Sequence, residues 1–178
     1  MTETGIGVAV RRVEDYRFLT GQGNYTDDIN RPGQAHAWIL RSPHAHANIK
    51  SIDAKAALAA PGVIAVFTGK DVVDDGLGGL PCGWQVTDRH GEPMIEPAHP
   101  ILVPDTVRHV GDQVAVVIAE TRDQARDASE KIAVDYEPLA ACASTAEAMS
   151  AKAPQVWGDA KSNLCYDWEL GDRAACDD

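Results

Sequence analysis

Apolar positions along this chain come in short runs, each fenced by glycine or proline. Ala35 to Leu40 lies between Pro32-Gly33 and Ser42-Pro43 and predicts a strand. A second short strand is expected over Ala47 to Ile52, where Ile49 and Ile52 frame a polar Lys50-Ser51. Asp53 can cap a helix over Ala54 to Ala60, which Pro61-Gly62 stops. Val63 to Phe67 is continuously apolar and β-branched, the pattern of a buried strand. A turn of helix follows around Lys70 to Val73. Gln113 to Glu120 carries the strongest strand pattern in the chain. Thr121-Arg122-Asp123-Gln124 then fits a capping box, with Ala125, Ala128 and Ile132 on one face of a helix reaching about Lys131. Ile132 to Tyr136 returns as a strand, and Pro138 marks its end or an edge position. Ser144 to Glu147 predicts a second capping box before a short helix to Met149.

Two stretches lack this order. Residues 1–33 are rich in turn formers and read as an N-terminal arm. Residues 74–105 are punctuated by Gly76, Gly78, Gly79, Pro81, Gly83, Gly91, Pro93, Pro97, Pro100 and Pro104. A loop of that length in a compact domain is functional, interfacial or poorly ordered. The order of elements predicts an α+β domain over 34–150, with a small mixed sheet and packed helices, followed by a tail over 151–178.

Composition narrows the function classes. The 178 residues suit one domain with a tail. With 16 basic against 27 acidic residues the formal charge is -11, which disfavours nucleic acid and anionic membrane surfaces as partners. The longest apolar run, Val114 to Ala119, is far too short to span a bilayer. The opening Met-Thr-Glu-Thr-Gly shows no basic n-region before an apolar segment, so a cytoplasmic location is expected. Cys82, Cys142, Cys165 and Cys176 form no CxxC pair, which disfavours zinc or iron–sulfur ligation and leaves reduced thiols as the expectation.

The candidate chemistry is thin. His44 and His46 would share one side of an extended segment and make half of a metal site, but a loop or packing role fits them better. His90, His99 and His109 have no carboxylate at metal-ligand spacing. Asp27-Asp28, Asp74-Asp75 and Asp177-Asp178 read as turn residues, because adjacent carboxylates on a strand point apart. Gly21-Gln22-Gly23 and Gly76-Leu77-Gly78-Gly79 lack the frame of a phosphate loop. Trp84, Trp157 and Trp168 fall in irregular segments, where an aromatic is either an interface anchor or packs on its own domain. No catalytic, cofactor-binding or metal residue is assigned.

Taken in order, however, several blocks form a pattern. Arg12 to Asp15, Phe18-Leu19-Thr20-Gly21-Gln22-Gly23-Asn24-Tyr25-Thr26-Asp27-Asp28-Ile29, Arg41-Ser42-Pro43-His44-Ala45-His46-Ala47, Val110-Gly111-Asp112-Gln113 through Thr121, and Val134 to Leu139 resemble the large subunit of the xanthine dehydrogenase, aldehyde oxidase and carbon monoxide dehydrogenase family. The resemblance runs over about residues 11–140 and is nearest the bacterial carbon monoxide dehydrogenase branch. It implies an α/β hammerhead domain. It also implies a parent enzyme that hydroxylates an electron-poor carbon at a molybdenum centre. The implied cofactors are molybdopterin as the cytosine dinucleotide, with iron–sulfur clusters and FAD in other domains or subunits. Partners would be the molybdenum-binding domains of the same subunit and the iron–sulfur and flavin subunits. The family's catalytic and molybdopterin-gripping segments would lie beyond residue 178, so the expectation is a chain without a complete active site and with a structural role. The loop at 74–105, with Trp84, is the expected contact element. Two other classes compete. One is a stand-alone binding or assembly module, which would present no large apolar patch. The other is a carrier domain, which needs a lysine at a hairpin tip; Lys50 and Lys131 are poorly placed for it.

Overall fold

The computed structural model describes residues 6–7, 9, 11–172 and 175–176. Its contacts divide the chain into two compact units, Met1–Gln34 and Ala35–Asp178. In the first, α1 (Asp15–Leu19) is a single short helix, and a 3-10 turn follows at Thr26–Asp28. Phe18 and Tyr25 stack with ring centres 5.5 Å apart. A side chain at Gly23 would press into that stack, its Cβ 2.9 Å from the Phe18 ring.

The second unit runs β1 (His36–Arg41), β2 (Ala47–Asp53), α2 (Lys55–Leu58), β3 (Val63–Thr68), α3 (Gly69–Asp74), β4 (Thr106–Val107), β5 (Gln113–Ala119), α4 (Arg122–Ser129), β6 (Ala133–Pro138) and α5 (Thr145–Ala148). The α+β organisation expected from the sequence is present, with two antiparallel sheets in place of one small mixed sheet. Its strands are shared between two three-stranded sheets, ordered β1-β5-β3 and β4-β2-β6, and every pairing is antiparallel.

Local signals explain the element boundaries. Thr121 accepts from the Gln124 N–H at 3.2 Å, while the Gln124 side chain accepts from the Thr121 N–H at 3.0 Å, closing the capping box on α4. Ser144 accepts from the Glu147 N–H at 3.2 Å and caps α5. The helix expected over Ala54 to Ala60 is one turn long. Asp53 ends β2 and its carboxylate accepts from the Lys55 N–H at 3.0 Å. At α3, the Asp71 carboxylate accepts from both the Thr68 N–H and hydroxyl, at 2.6 and 2.8 Å. These two donors, the hydroxyl foremost, hold the Asp71 carboxyl below its ordinary pKa. Pro138 closes β6, and β6 is an edge strand, where the missing amide donor is harmless.

Two apolar cores result. Ala115, Val117 and Ala119 of β5 pack under Ala125 and Ala128 of α4, with Ala57 and Ile132 completing the buried set. The small alanines let α4 lie close on the sheet. The second core joins Ala47, Val103, Val107 and Val114, with Ile49 and Tyr136 packed against it. Ile52 and Val134 pack against both cores and so couple the two sheets.

Candidate functional site

The sequence blocks Arg41–His46 and Val110–Gln113 lie about seventy residues apart and meet at the end of β1 and the start of β5. Ser42 N–H donates to the Asp112 carbonyl at 2.8 Å, and Gly111 N–H donates to the Ser42 carbonyl at 2.8 Å. The Arg41 guanidinium donates to the Gly111 carbonyl at 2.8 Å. Gly111 carries a φ of 92°, a conformation that L side chains rarely adopt, so the turn that aims its carbonyl at Arg41 favours glycine. The Asp112 carboxylate, 15% exposed, accepts from the N–H groups of Arg108 and Gln113 at 2.9 and 3.2 Å.

Ser42 is the buried centre of this junction. Its hydroxyl accepts from the His44 N–H at 3.0 Å and lies 3.1 Å from the His44 carbonyl. Burial raises the pKa of the Tyr136 phenol above its ordinary value, and the Ser42 hydroxyl opposes the rise. The His44 ring leans on Tyr136 with centres 4.8 Å apart. His46 Nδ1 sits 2.7 Å from the Ala140 carbonyl, which assigns the proton to that nitrogen. Residues 42–46 therefore form a bend rather than the extended segment that would align the two imidazoles. His44 and His46 serve different partners. Among the described residues no three His, Cys, Asp or Glu side chains group as a metal site.

Ser42→Ala is expected to strand the His44 N–H and to cost about 1–3 kcal/mol in chemical denaturation. It should also move the Tyr136 phenol further upward in an absorbance titration. The sign is fixed. A phenol whose folded pKa is raised contributes stability that is full below its unfolded pKa and lost as pH climbs through the folded one. The stability of the wild-type chain should therefore fall on the alkaline side, above about pH 10.

Two further junctions tie the tail to the domain. Arg108 donates to the Val156 carbonyl at 3.2 Å and to the Thr106 carbonyl at 2.8 Å, with its guanidinium 3.7 Å over the Trp157 ring. The irregular 74–105 segment meets the tail at residues 165–169. Arg89 N–H donates to the Asp167 carbonyl at 3.0 Å and Ile95 N–H to the Cys165 carbonyl at 2.8 Å. The Arg89 guanidinium pairs with the Asp167 carboxylate and reaches Glu169 at 3.7 Å, and Trp84 meets Trp168 edge-on at 5.9 Å. The tail thus occupies one side of the loop expected to make contacts, although Trp84 remains 64% exposed.

The other candidates take up local roles. Asp28 accepts from the Tyr25 N–H at 2.9 Å, and Asp74 pairs with Lys70. Asp177 and Asp178 lie outside the described residues. Gly21 and Gly76 carry positive φ at turns. Lys50 lies within β2, paired to Glu137 at 2.8 Å, which is no hairpin tip. Sequence reasoning passes over Ser42, Arg108, Tyr136 and Asn163 as individual residues. Asn163 is saturated: its Oδ1 accepts from the Val156 N–H at 2.9 Å and its Nδ2 donates to the Ala148 and Pro154 carbonyls at 3.2 and 3.0 Å. The only signal at Ser42 is a serine before Pro43, a setting that favours side-chain-to-backbone turns.

Residues 20–140 match the α/β hammerhead domain of aldehyde oxidase and xanthine dehydrogenase. The chain is 36% identical to the carbon monoxide dehydrogenase large chain of Afipia carboxidovorans, over 97% of its own length and 22% of that protein's. It is 42% identical to the nicotine 6-hydroxylase large subunit of Paenarthrobacter nicotinovorans, over 78% of its length and 16% of that subunit's. Its fold superposes on the structure of reconstituted CO dehydrogenase from Oligotropha carboxidovorans with a TM-score of 0.68 at 39% identity, covering 84% of this chain and 17% of the other. The chain spans about a fifth or less of the length of each of these relatives. The bend at Arg41–His46, the turn at Gly111 and the sheets they join lie inside the matched segment, and the chain belongs to the aldehyde oxidase and xanthine dehydrogenase hammerhead-domain family.

Proposed function

We propose that this chain is the hammerhead portion of the large subunit of a molybdenum-containing hydroxylase or dehydrogenase, and that its own part in that enzyme is structural. The observation that carries the reading is the family match over residues 20–140 within relatives several times longer. Residues 1–33 act as a leading arm, 34–150 as the hammerhead domain and 151–178 as the passage toward the molybdenum-binding domains. The parent's cofactors are molybdopterin, as the cytosine dinucleotide, with iron–sulfur clusters and FAD carried by other domains or subunits. Its place is the cytoplasm; among the described residues no helix is long and apolar enough to cross a membrane.

Among the described residues, the cavity between α5 and the tail does not fit a molybdopterin. A pterin dinucleotide carries a diphosphate and needs converging donors. The cavity of about 460 Å³ between α5 and the tail offers one cation, Lys161, and its Asn163 amide is already spent. Among the described residues no buried side-chain nitrogen or oxygen lacks a partner. No step of the parent reaction is therefore assigned to these side chains. What they do is hold two sheets, a bend and a tail in fixed relation, which is the work of a frame.

The 178-residue chain is expected to carry no molybdenum by elemental analysis and to reduce no dye with aldehydes or purines. The polypeptide read onward from the same coding frame, with its partner subunits, should carry molybdenum. Molybdenum bound by the short chain, or a stop codon directly after Asp178, would sink the reading and favour a stand-alone assembly module.

A further inference from the structure

The sheet β1-β5-β3 has two faces, and its strands send apolar side chains to both. Trp38, Leu40, Val66 and Val117 face the helices and belong to the first core. Strand alternation sends their neighbours to the opposite side. There the register sets Ala37 beside Ile118 and Ile118 beside Ala65. It likewise sets Ile39 beside Val116 and Val116 beside Phe67. Two rows of three apolar residues thus cross all three strands, with Ala37 exposed and Phe67 45% exposed. An antiparallel sheet with one wet face alternates apolar and polar residues, and this one does not. Over Ile39, Phe67 and Val116 opens a cavity of about 340 Å³, walled by Leu77 and Ile101 and edged by Asp75.

We propose that this second face seats an apolar segment, flanked by a basic residue, from the part of the large-subunit polypeptide outside residues 1–178. The inference rests on the reading of the chain as part of such a subunit. Two observations select that occupant. The chain accounts for 22% of the length of the carbon monoxide dehydrogenase large chain, so most of such a polypeptide is on hand to cover the face within one molecule. The edge of the groove is acidic, at Asp71 and Asp75, on a chain of net charge -11. A second copy would bring like charges together, whereas a flanking Lys or Arg would answer Asp75. A face covered once, at folding, can be as apolar as an interior.

The test is thiol labelling of Ala37→Cys, Phe67→Cys and Ile118→Cys, read by peptide mass spectrometry. It is run on the 178-residue chain, where the exposed Cys82 and Cys165 serve as references, and on the intact large subunit in its complex, against the unfolded subunit as the reference for full labelling. Ala37→Cys is the mildest change and keeps the test usable if a bulkier site disturbs folding. All three thiols should label readily in the short chain and about tenfold or more slowly in the subunit. Equal labelling in both would overturn the proposal. So would protection already present in the short chain, whether independent of concentration (the arm covers the face) or rising with it (a second copy does). Molybdenum content of the same subunit is measured alongside. Its absence counts against the large-subunit reading, while labelling of a molybdenum-loaded subunit counts against the docking face alone.

Discussion

Gly69→Ala is expected to lower the stability of this chain by about 3 kcal/mol, the upper end of the cost of forcing atoms into a packed interior. The residue is buried at the start of α3. A Cβ built there would lie 2.2 Å from the Val103 carbonyl oxygen, 2.3 Å from its carbon and 2.5 Å from the Pro104 Cα. All three are backbone atoms, so no rotamer change relieves the contact. The backbone they belong to is itself held, because Val103 is buried and its N–H donates to the Gln113 carbonyl at 2.7 Å. Relief must come from moving α3 off the sheet or pulling Val103 from the second core. The check is urea unfolding of wild type and variant, with a lower midpoint at unchanged slope, or a fall in Tm of roughly 6–12 °C for a chain of this size. Gly78→Ala is the control. Nothing lies within 4 Å of its Cβ and its φ is not positive, so it should be close to neutral. A Gly69→Ala variant as stable as the control would show that α3 is not pinned to the 103–104 backbone.

Much of this fold was legible in the sequence because its signals are local. The box at Thr121 and Gln124 needs four residues to recognise, and it stands where the pattern put it. The run from Gln113 to Ala119 is long and β-rich enough to be a strand in any context. Ala125 and Ala128 share one face of α4 and are buried, and Ile132 is buried beside them although the helix ends at Ser129, short of the expected Lys131. What stayed hidden is long-range. Nothing in the local pattern of β2 says that it will pair with β6 and β4 rather than join β1 and β5; that depends on partners up to ninety residues away. The same holds for the site. Arg108 is an ordinary exposed-type residue until Trp157 arrives under it, and Arg89 meets Asp167 only across 78 residues of chain. Ser42 stands out in the sequence only as part of the Arg41–Ala47 block. Its burial and its two hydroxyl contacts to the His44 backbone come from the bend at Pro43. The loop or packing role expected for His44 and His46 has a local cause: the Ser42 hydroxyl accepts from the His44 N–H and helps fold the backbone into a bend, so the two rings do not align.

Val117→Asp is expected to abolish the cooperative folded state, and Val116→Asp, one residue away, is expected to leave the 178-residue chain folded. Both lie on β5, the central strand of its sheet, and differ in which face they serve. Val117 is fully buried, among alanines of β5 and α4, beside Trp38 of β1 and Val66 of β3. None of these side chains can answer a carboxylate, apart from the indole N–H of Trp38. An unpaired buried charge costs several kcal/mol, a large part of the 5–15 kcal/mol that holds a typical domain together. Val116 points to the groove on the other side and is only partly covered. A carboxylate there can reach water, so its cost in the short chain should stay near 1 kcal/mol. Near-ultraviolet circular dichroism and urea melts separate the two outcomes: a lost transition for Val117→Asp, a shifted but intact one for Val116→Asp. Equal collapse of both would mean that the second face is as sealed as the first within this chain. The same Val116→Asp change placed in the large subunit should then report the face from the other side. With the proposed segment seated in the groove, a carboxylate there loses its water, and a substitution tolerated by the short chain should lower the yield of assembled subunit severalfold.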